Sequence, residues 1–315
     1  MKAIDYTPIR ASTLRGKLEI TFDLFVLINE KFILYYRKGD SFEGERIERI
    51  QKKGLKKLYI LKVEEEEYKS YLRRNIDMAY SNTQGAPMSE RAIVIQGAQQ
   101  AVVENLMESP DDKQIFEVAV ESSRMYVEFI LNENAALKEI LKIPNLDKNP
   151  AHHGVNVATL AIAICKRFKQ TDPAMLNALV IGCLLHDIEF AYNGLSLAKD
   201  FKDLSPEEKE IYKRQPHLGY ERIKDAGFYQ KLTLDIVKQS EELIDGSGFP
   251  DGLKEDQVDP MVALASTCNA FDRYVSIKEY SIKDSLKSIL IDRMGMHPLK
   301  YFQALQDALK DDGAL

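Results

Sequence analysis

From Lys17 to Tyr36 apolar and polar residues alternate, with Ile, Phe, Leu, Val and Tyr at the apolar positions and Asn29-Glu30 breaking the run. A period of two around a polar break predicts a β-hairpin. Lys38-Gly39-Asp40 then predicts a turn, residues 45–53 a short helix stopped at Gly54, and Leu58 to Leu61 a strand. The acidic run Glu64 to Glu67 reads as a solvated helix start. Beyond the polar stretch from Ser81 to Pro87 the apolar period lengthens to three and four, and nearly everything reads as helix. Residues 115–141 carry a sustained apolar stripe and predict one long connecting helix. Asn149-Pro150, Asp172-Pro173 and Ser205-Pro206 each place a capping side chain before a proline suited to the first turn, and Glu208 completes a capping box with Ser205. The expected fold class is α+β: a small α/β domain over residues 1–78, a linker over 79–86 and a larger all-helical domain over 87–315.

Composition narrows the class. With 315 residues, 45% hydrophobic and 29% charged, the chain can bury a sizeable core. A formal net charge of -6 leaves no broad basic surface, which argues against nucleic-acid polymers as partners. The longest apolar stretches, 155–165 and 176–185, fall short of the roughly 20 residues a membrane span needs, and residues 1–20 lack a signal-peptide pattern. No membrane span and a cytoplasmic location are therefore expected. Cys165, Cys183 and Cys268 lie in apolar helical contexts without paired spacing, as buried thiols do in a reducing compartment.

Candidate chemistry concentrates in the helical part. His152, His153, His186 and His217 fall close together in sequence, and Asp187 follows His186 at the end of an apolar run. Burying a carboxylate beside an imidazole is costly unless a charge compensates, and a divalent metal does so directly. The alternatives are ordinary: a core histidine satisfied by a carbonyl at 153, a neutral histidine oriented by its neighbouring aspartate at 186, a surface histidine at a helix start after Pro216 for His217. His297 reads as a surface or capping residue. Nitrogen and oxygen donors suit iron, manganese or zinc better than calcium. A carboxylate bridging two such ions is the arrangement for phosphodiester hydrolysis by metal-bound hydroxide.

A second motif is Asp245-Gly246-Ser247-Gly248-Phe249-Pro250-Asp251-Gly252-Leu253. Taken with His153, Leu184-Leu185-His186-Asp187-Ile188, Pro216 with Gly219, and Glu242, it resembles the HD-GYP domains of the HD phosphohydrolase superfamily, over roughly residues 87–310. The resemblance implies an HD-type helical bundle, a centre of two divalent metal ions, iron or otherwise manganese, and hydrolysis of cyclic di-GMP. Carried onto this chain, it implies His186 and Asp187 as catalytic residues, with metal ligands drawn from His153, His186, Asp187, His217, Glu241, Asn269 and Asp272. Asp245, Gly246, Gly248, Phe249 and Pro250 become the substrate-binding loop. Cyclic di-GMP or a related cyclic dinucleotide is the expected partner, with the Phe249 loop or the N-terminal domain available to a protein.

This chain also departs from the family pattern. Glu189-Phe190 stand where the family has Gly-Lys, Ser240-Glu241 replace two histidines, and Gln215 replaces another, with His217 two residues displaced. Asn269 aligns with a metal-binding aspartate, leaving Asp272 one turn on, and Phe249 lacks the signature tyrosine's hydroxyl. Three functions follow: a phosphodiesterase, a non-catalytic cyclic-dinucleotide or partner-binding module that keeps a metal site, or a phosphohydrolase acting on another nucleotide.

Overall fold

The computed structural model describes residues 5–15, 19–40, 57–82 and 85–315, together with Arg49, Lys53 and Leu55. The helix expected over 45–53 and its stop at Gly54 lie largely outside the described residues. The chain divides into two compact units, 1–101 and 102–315.

Among the described residues of the first unit, four strands form one antiparallel sheet in the order β1-β4-β2-β3: β1 Tyr6–Arg10, β2 Leu24–Ile28, β3 Lys31–Tyr36 and β4 Lys57–Leu61. The expected hairpin is β2-β3. It turns on Asn29 and Glu30, both at positive φ (47° and 63°), the backbone sense that matches the twist of paired strands. Alternate residues Leu24, Val26, Leu58 and Ile60 point into a core with Ile9, Phe22 and Tyr71. Tyr71 comes from α1, Glu65–Ser81, and meets the Phe22 ring edge-on at 5.5 Å. Asn82, left-handed at φ 52°, caps that helix, and α2 begins at Met88 and runs to Glu108.

The second unit is helical. After α2 come α3 (Lys113–Asn132), α4 (Ala136–Leu141), α5 (Pro150–Arg167), α6 (Pro173–Leu185), α7 (Pro206–Ile223), α8 (Lys231–Gln239), α9 (Pro260–Asp272), α10 (Ile282–Asp292) and α11 (Leu299–Asp311). The single helix expected over 115–141 is instead two, parted at Ala135, which takes a left-handed φ of 62° that no helix can continue through. All three capping signals operate: Asn149 accepts from the Ala151 N–H, Asp172 from Met175, and Ser205 and Glu208 form the reciprocal box.

Helix α5 is the axis of the unit, buried from Pro150 through Cys165 and surrounded by α3, α4, α6, α9 and α11. From Ala178 to Leu185 helix α6 is apolar on every side and buried, as an enclosed stretch of helix must be. The segment 173–191 has the length and hydropathy of a membrane-crossing helix, yet 78% of its window is buried among the other helices. The two central helices touch at Gly154, where an added Cβ would lie 2.9 Å from the Leu184 carbonyl oxygen. That close approach brings His153 beside the end of α6, where His186 and Asp187 follow. The three cysteines are buried and unpaired, and burial pushes the Cys165 thiol up to about 12.

Candidate metal centre

His153, His186 and Asp187 converge. One ligand atom from each lies within 4.8 Å of the others, and all three residues are buried. His153 Nε2 is 3.7 Å and His186 Nε2 3.4 Å from Asp187 Oδ2. Donors about 2.1 Å from a common ion stand roughly 3–3.5 Å apart, close to these separations.

The orientation of both rings points to the same use. The His153 Nδ1–H donates to Asp272 Oδ2 at 2.7 Å, and Asp272 is held in turn by the Asn156 amide at 3.0 Å and the Ser276 hydroxyl at 2.6 Å. The His186 Nδ1–H donates to the Cys183 carbonyl at 2.7 Å. With each Nδ1 committed as donor, the two Nε2 atoms face the centre, as in metal-bound imidazoles whose other ring nitrogen is held by a carboxylate or carbonyl. His186 Nε2 is buried with no hydrogen-bond partner. Burial, with help from His153 and Arg273, keeps the His186 pKa below the ordinary histidine value despite the opposing field of Asp187. The neutral ring thus offers a lone pair. Burial pushes the Asp187 carboxyl up, but the fields of His186, Arg273 and His153 together outweigh it and hold it below the usual carboxylate range.

Asn269 joins this group. Its Oδ1 lies 2.9 Å from His153 Nε2 and accepts from Arg273 Nε at 3.2 Å, and its Nδ2 reaches Glu241 Oε1 at 3.4 Å. An Nε2–H on the His153 ring would donate to that carbonyl, whereas a bound cation would take the bare Nε2 and the carbonyl oxygen together. His153, His186 and Asp187 could hold a metal ion, and the Asn269 carbonyl lies beside them.

The groups expected to complete a second ion are placed differently. His217 is exposed on the outer side of α7 and stands outside the cluster. The expectation that Pro216 ends one helix and His217 begins another gives way to a continuous α7, which runs through Pro216 at the loss of one backbone N–H. Continuity fixes the rotation, so Gln215 is the buried residue, and its Nε2 has no partner. Ser240 is buried with an unpartnered hydroxyl. Glu241 Oε1 accepts from Tyr212 at 3.1 Å and from Arg273 Nη2 at 3.4 Å. Asp272 orients His153 rather than presenting a free oxygen.

The signature loop owes its path to Glu242, which is 3% exposed. Its Oε1 accepts the N–H groups of Asp251 (2.6 Å) and Gly252 (3.2 Å), and its Oε2 that of Leu253 (2.8 Å). Asp245 Oδ1 caps the Ser247 N–H at 2.9 Å, and Asp245 bridges to Lys254 across the loop. At Gly248 a Cβ would meet the Leu243 nitrogen at 2.3 Å, so only glycine allows the loop to fold back on residues 241–243. Gly246 sits at φ 82°. Phe249 and Pro250 are half-buried, and the Phe249 ring lies 5.9 Å from Tyr212 and 6.2 Å from Phe201.

Arg273 escaped the sequence reading. Arg273 opens a π-helical turn, Arg273–Ile277, that follows α9. Glu189, only 4% exposed, accepts from Arg222 Nε at 2.6 Å, and the Arg222 guanidinium stacks 3.6 Å above the Tyr192 ring. Lys238 is paired with Asp251 and Lys231 with Asp235, as helix-surface charges. His297, read from sequence as a surface residue, is 5% exposed and packs edge-on against Phe302.

No family model matches the chain. Its structure is similar to that of Bd1817, a HDG"Y"P protein from Bdellovibrio bacteriovorus, at 40% identity and a TM-score of 0.92, over 97% of this chain and 100% of that one. In sequence it is 29% identical over 152 residues to cyclic di-GMP phosphodiesterase PA4108 of Pseudomonas aeruginosa, covering 48% of this chain and 36% of that protein. It is 24% identical over 186 residues to cyclic di-GMP phosphodiesterase PdeB of Borreliella burgdorferi, covering 53% of this chain and 48% of that one. The match thus spans less than half the length of either curated relative.

Proposed function

The chain belongs to the HD-GYP family, and from that premise we propose that it is a cyclic di-GMP-binding signalling module that does not carry out two-metal phosphodiester hydrolysis. The observation that carries this reading is an asymmetry within one site. The loop and the His153, His186, Asp187 cluster are built and braced, whereas the groups expected to hold a second ion are exposed (His217) or bonded to other side chains (Glu241 to Tyr212 and Arg273, Asp272 to His153).

A single ion held by His153, His186 and Asp187 with the Asn269 carbonyl supplies a fixed positive charge for a phosphodiester. The remaining tasks fall to the chain. Asp272 and the Cys183 carbonyl hold the two imidazoles in register. Glu242 fixes the loop, and the rings of Phe249, Tyr212 and Phe201 offer faces on which a purine can stack. The choice of ligand is supported by the curated relatives, which are cyclic di-GMP phosphodiesterases.

A second reading, a phosphodiesterase with a binuclear iron or manganese centre, is favoured by Glu241, whose carboxylate lies beside Asp187's partner Arg273 and can replace one lost imidazole with an oxygen donor. Calorimetric titration of the manganese- or iron-loaded protein with cyclic di-GMP, alongside chromatography of the nucleotide products, separates the two. Saturable binding without linear dinucleotide or GMP is the expected result. Turnover establishes the second reading instead, and absence of binding rejects both.

A further inference from the structure

Arg273 lies among three residues that the family resemblance offers as metal ligands. Its Nη2 is 3.1 Å from Asp187 Oδ2, 3.5 Å from Oδ1 and 3.4 Å from Glu241 Oε1, while its Nε donates to Asn269 Oδ1 at 3.2 Å. The side chain is only 17% exposed. One planar cation is therefore shared by both carboxylates and the amide of the site.

Two carboxylates in a buried pocket repel each other unless a positive charge stands between them, and a guanidinium keeps its charge at every physiological pH. The aromatic surroundings suit it as well. The Arg273 guanidinium carbon lies 5.8 Å from the centroids of Phe190 and of Tyr212, within cation–π range of both. Phe190 occupies the place where the family resemblance leads one to expect a lysine. A second cation there would lie against Arg273 across a few ångströms of low dielectric, whereas a phenyl face attracts it. The nearby cations Arg222 and Lys238 are paired elsewhere, with Glu189 and Asp251.

We infer that the Arg273 guanidinium is a tethered cation that takes the place of the second ion of a two-metal centre, so that this chain takes up one transition ion, at His153, His186 and Asp187. The π turn makes this geometry available. It starts at Arg273 and leaves Asp272 and Ser276 bonded to each other, with Asp272 facing His153 while Arg273 reaches Asp187. The inference rests on the one-ion part of the reading above and is independent of the nucleotide.

The test counts ions on the full chain. Wild type, Arg273→Ala and Arg273→Lys are loaded with manganese and desalted, and metal per chain is measured by mass spectrometry, with circular dichroism as the check on folding. Wild type and Arg273→Lys are expected to retain one equivalent, and Arg273→Ala one more. Two equivalents on the wild type, or no additional ion on a folded Arg273→Ala, overturns the inference. If Arg273→Ala folds only with metal, its melting temperature is expected to rise with added manganese by more than that of the wild type; an equal rise also overturns it. None of these readouts involves cyclic di-GMP, so a failure of nucleotide binding leaves the ion count to stand or fall separately.

Discussion

Replacing Glu242 by Gln changes one oxygen to an NH2 group at a site where every neighbour is a donor. Three backbone N–H groups, those of Asp251, Gly252 and Leu253, converge on the carboxylate, with two on Oε1 and one on Oε2. The amide oxygen can keep the pair at 251 and 252 or the single bond at 253, and the NH2 then faces an N–H. Hydrogen bonds to a charged group contribute about 1.5–3 kcal/mol each, and a buried donor left unpaired costs about 1–3 kcal/mol. Losing one bond, weakening the others and opposing two donors amounts to roughly 3 kcal/mol. The chain has no tryptophan, so urea unfolding is best followed by far-ultraviolet circular dichroism. Hydrogen exchange at residues 251–253 locates the effect and should accelerate on the same scale. A loss below about 0.5 kcal/mol with unchanged exchange at those amides would refute the claim that this carboxylate sets the loop's path.

Two further outcomes are expected. Asp272→Asn keeps the size of the group that orients His153 but removes its charge, and changes to a group that supports a ligating histidine lower metal affinity about 10- to 100-fold; competition titration with a manganese chelator measures it, and unchanged affinity would mean that Asp272 does not act through His153. Burial and the nearby Arg293 charge depress His297 from 6.5 to about 3, so between those values the unfolded chain binds the proton and the folded chain does not. Stability therefore falls as the pH drops below 6.5, by about 2 kcal/mol at pH 5. His297→Gln should lack that component, and matching wild-type and variant slopes in urea unfolding between pH 7.5 and 5 would exclude it.

Local signals were readable because their physics is local. A capping side chain bonds an N–H two or three residues away, so Asn149, Asp172 and Ser205 announce their helices without reference to any partner. Likewise the alternation around Asn29-Glu30 reports a strand pair through its own period. The break at Ala135 carried no such mark, since alanine is the strongest helix former and only its tertiary setting puts it at positive φ.

The order of His153, His186, Asp187 and the 245–253 loop along the chain carried the resemblance to the family, and the change of apolar period from two to three and four carried the α+β class. The rotation of each side chain about its helix was beyond reach. Whether Gln215 or His217 faces inward depends on α7 continuing through Pro216, and whether Asp272 is a ligand or a support depends on the π turn beyond it. Arg273 has no motif at all. Its guanidinium becomes part of the centre only because the α5–α6 approach at Gly154 and the end of α9 bring groups more than eighty residues apart in the chain within 3.5 Å. A one-dimensional pattern records which charges a chain has, and three-dimensional packing decides which of them must neutralise one another.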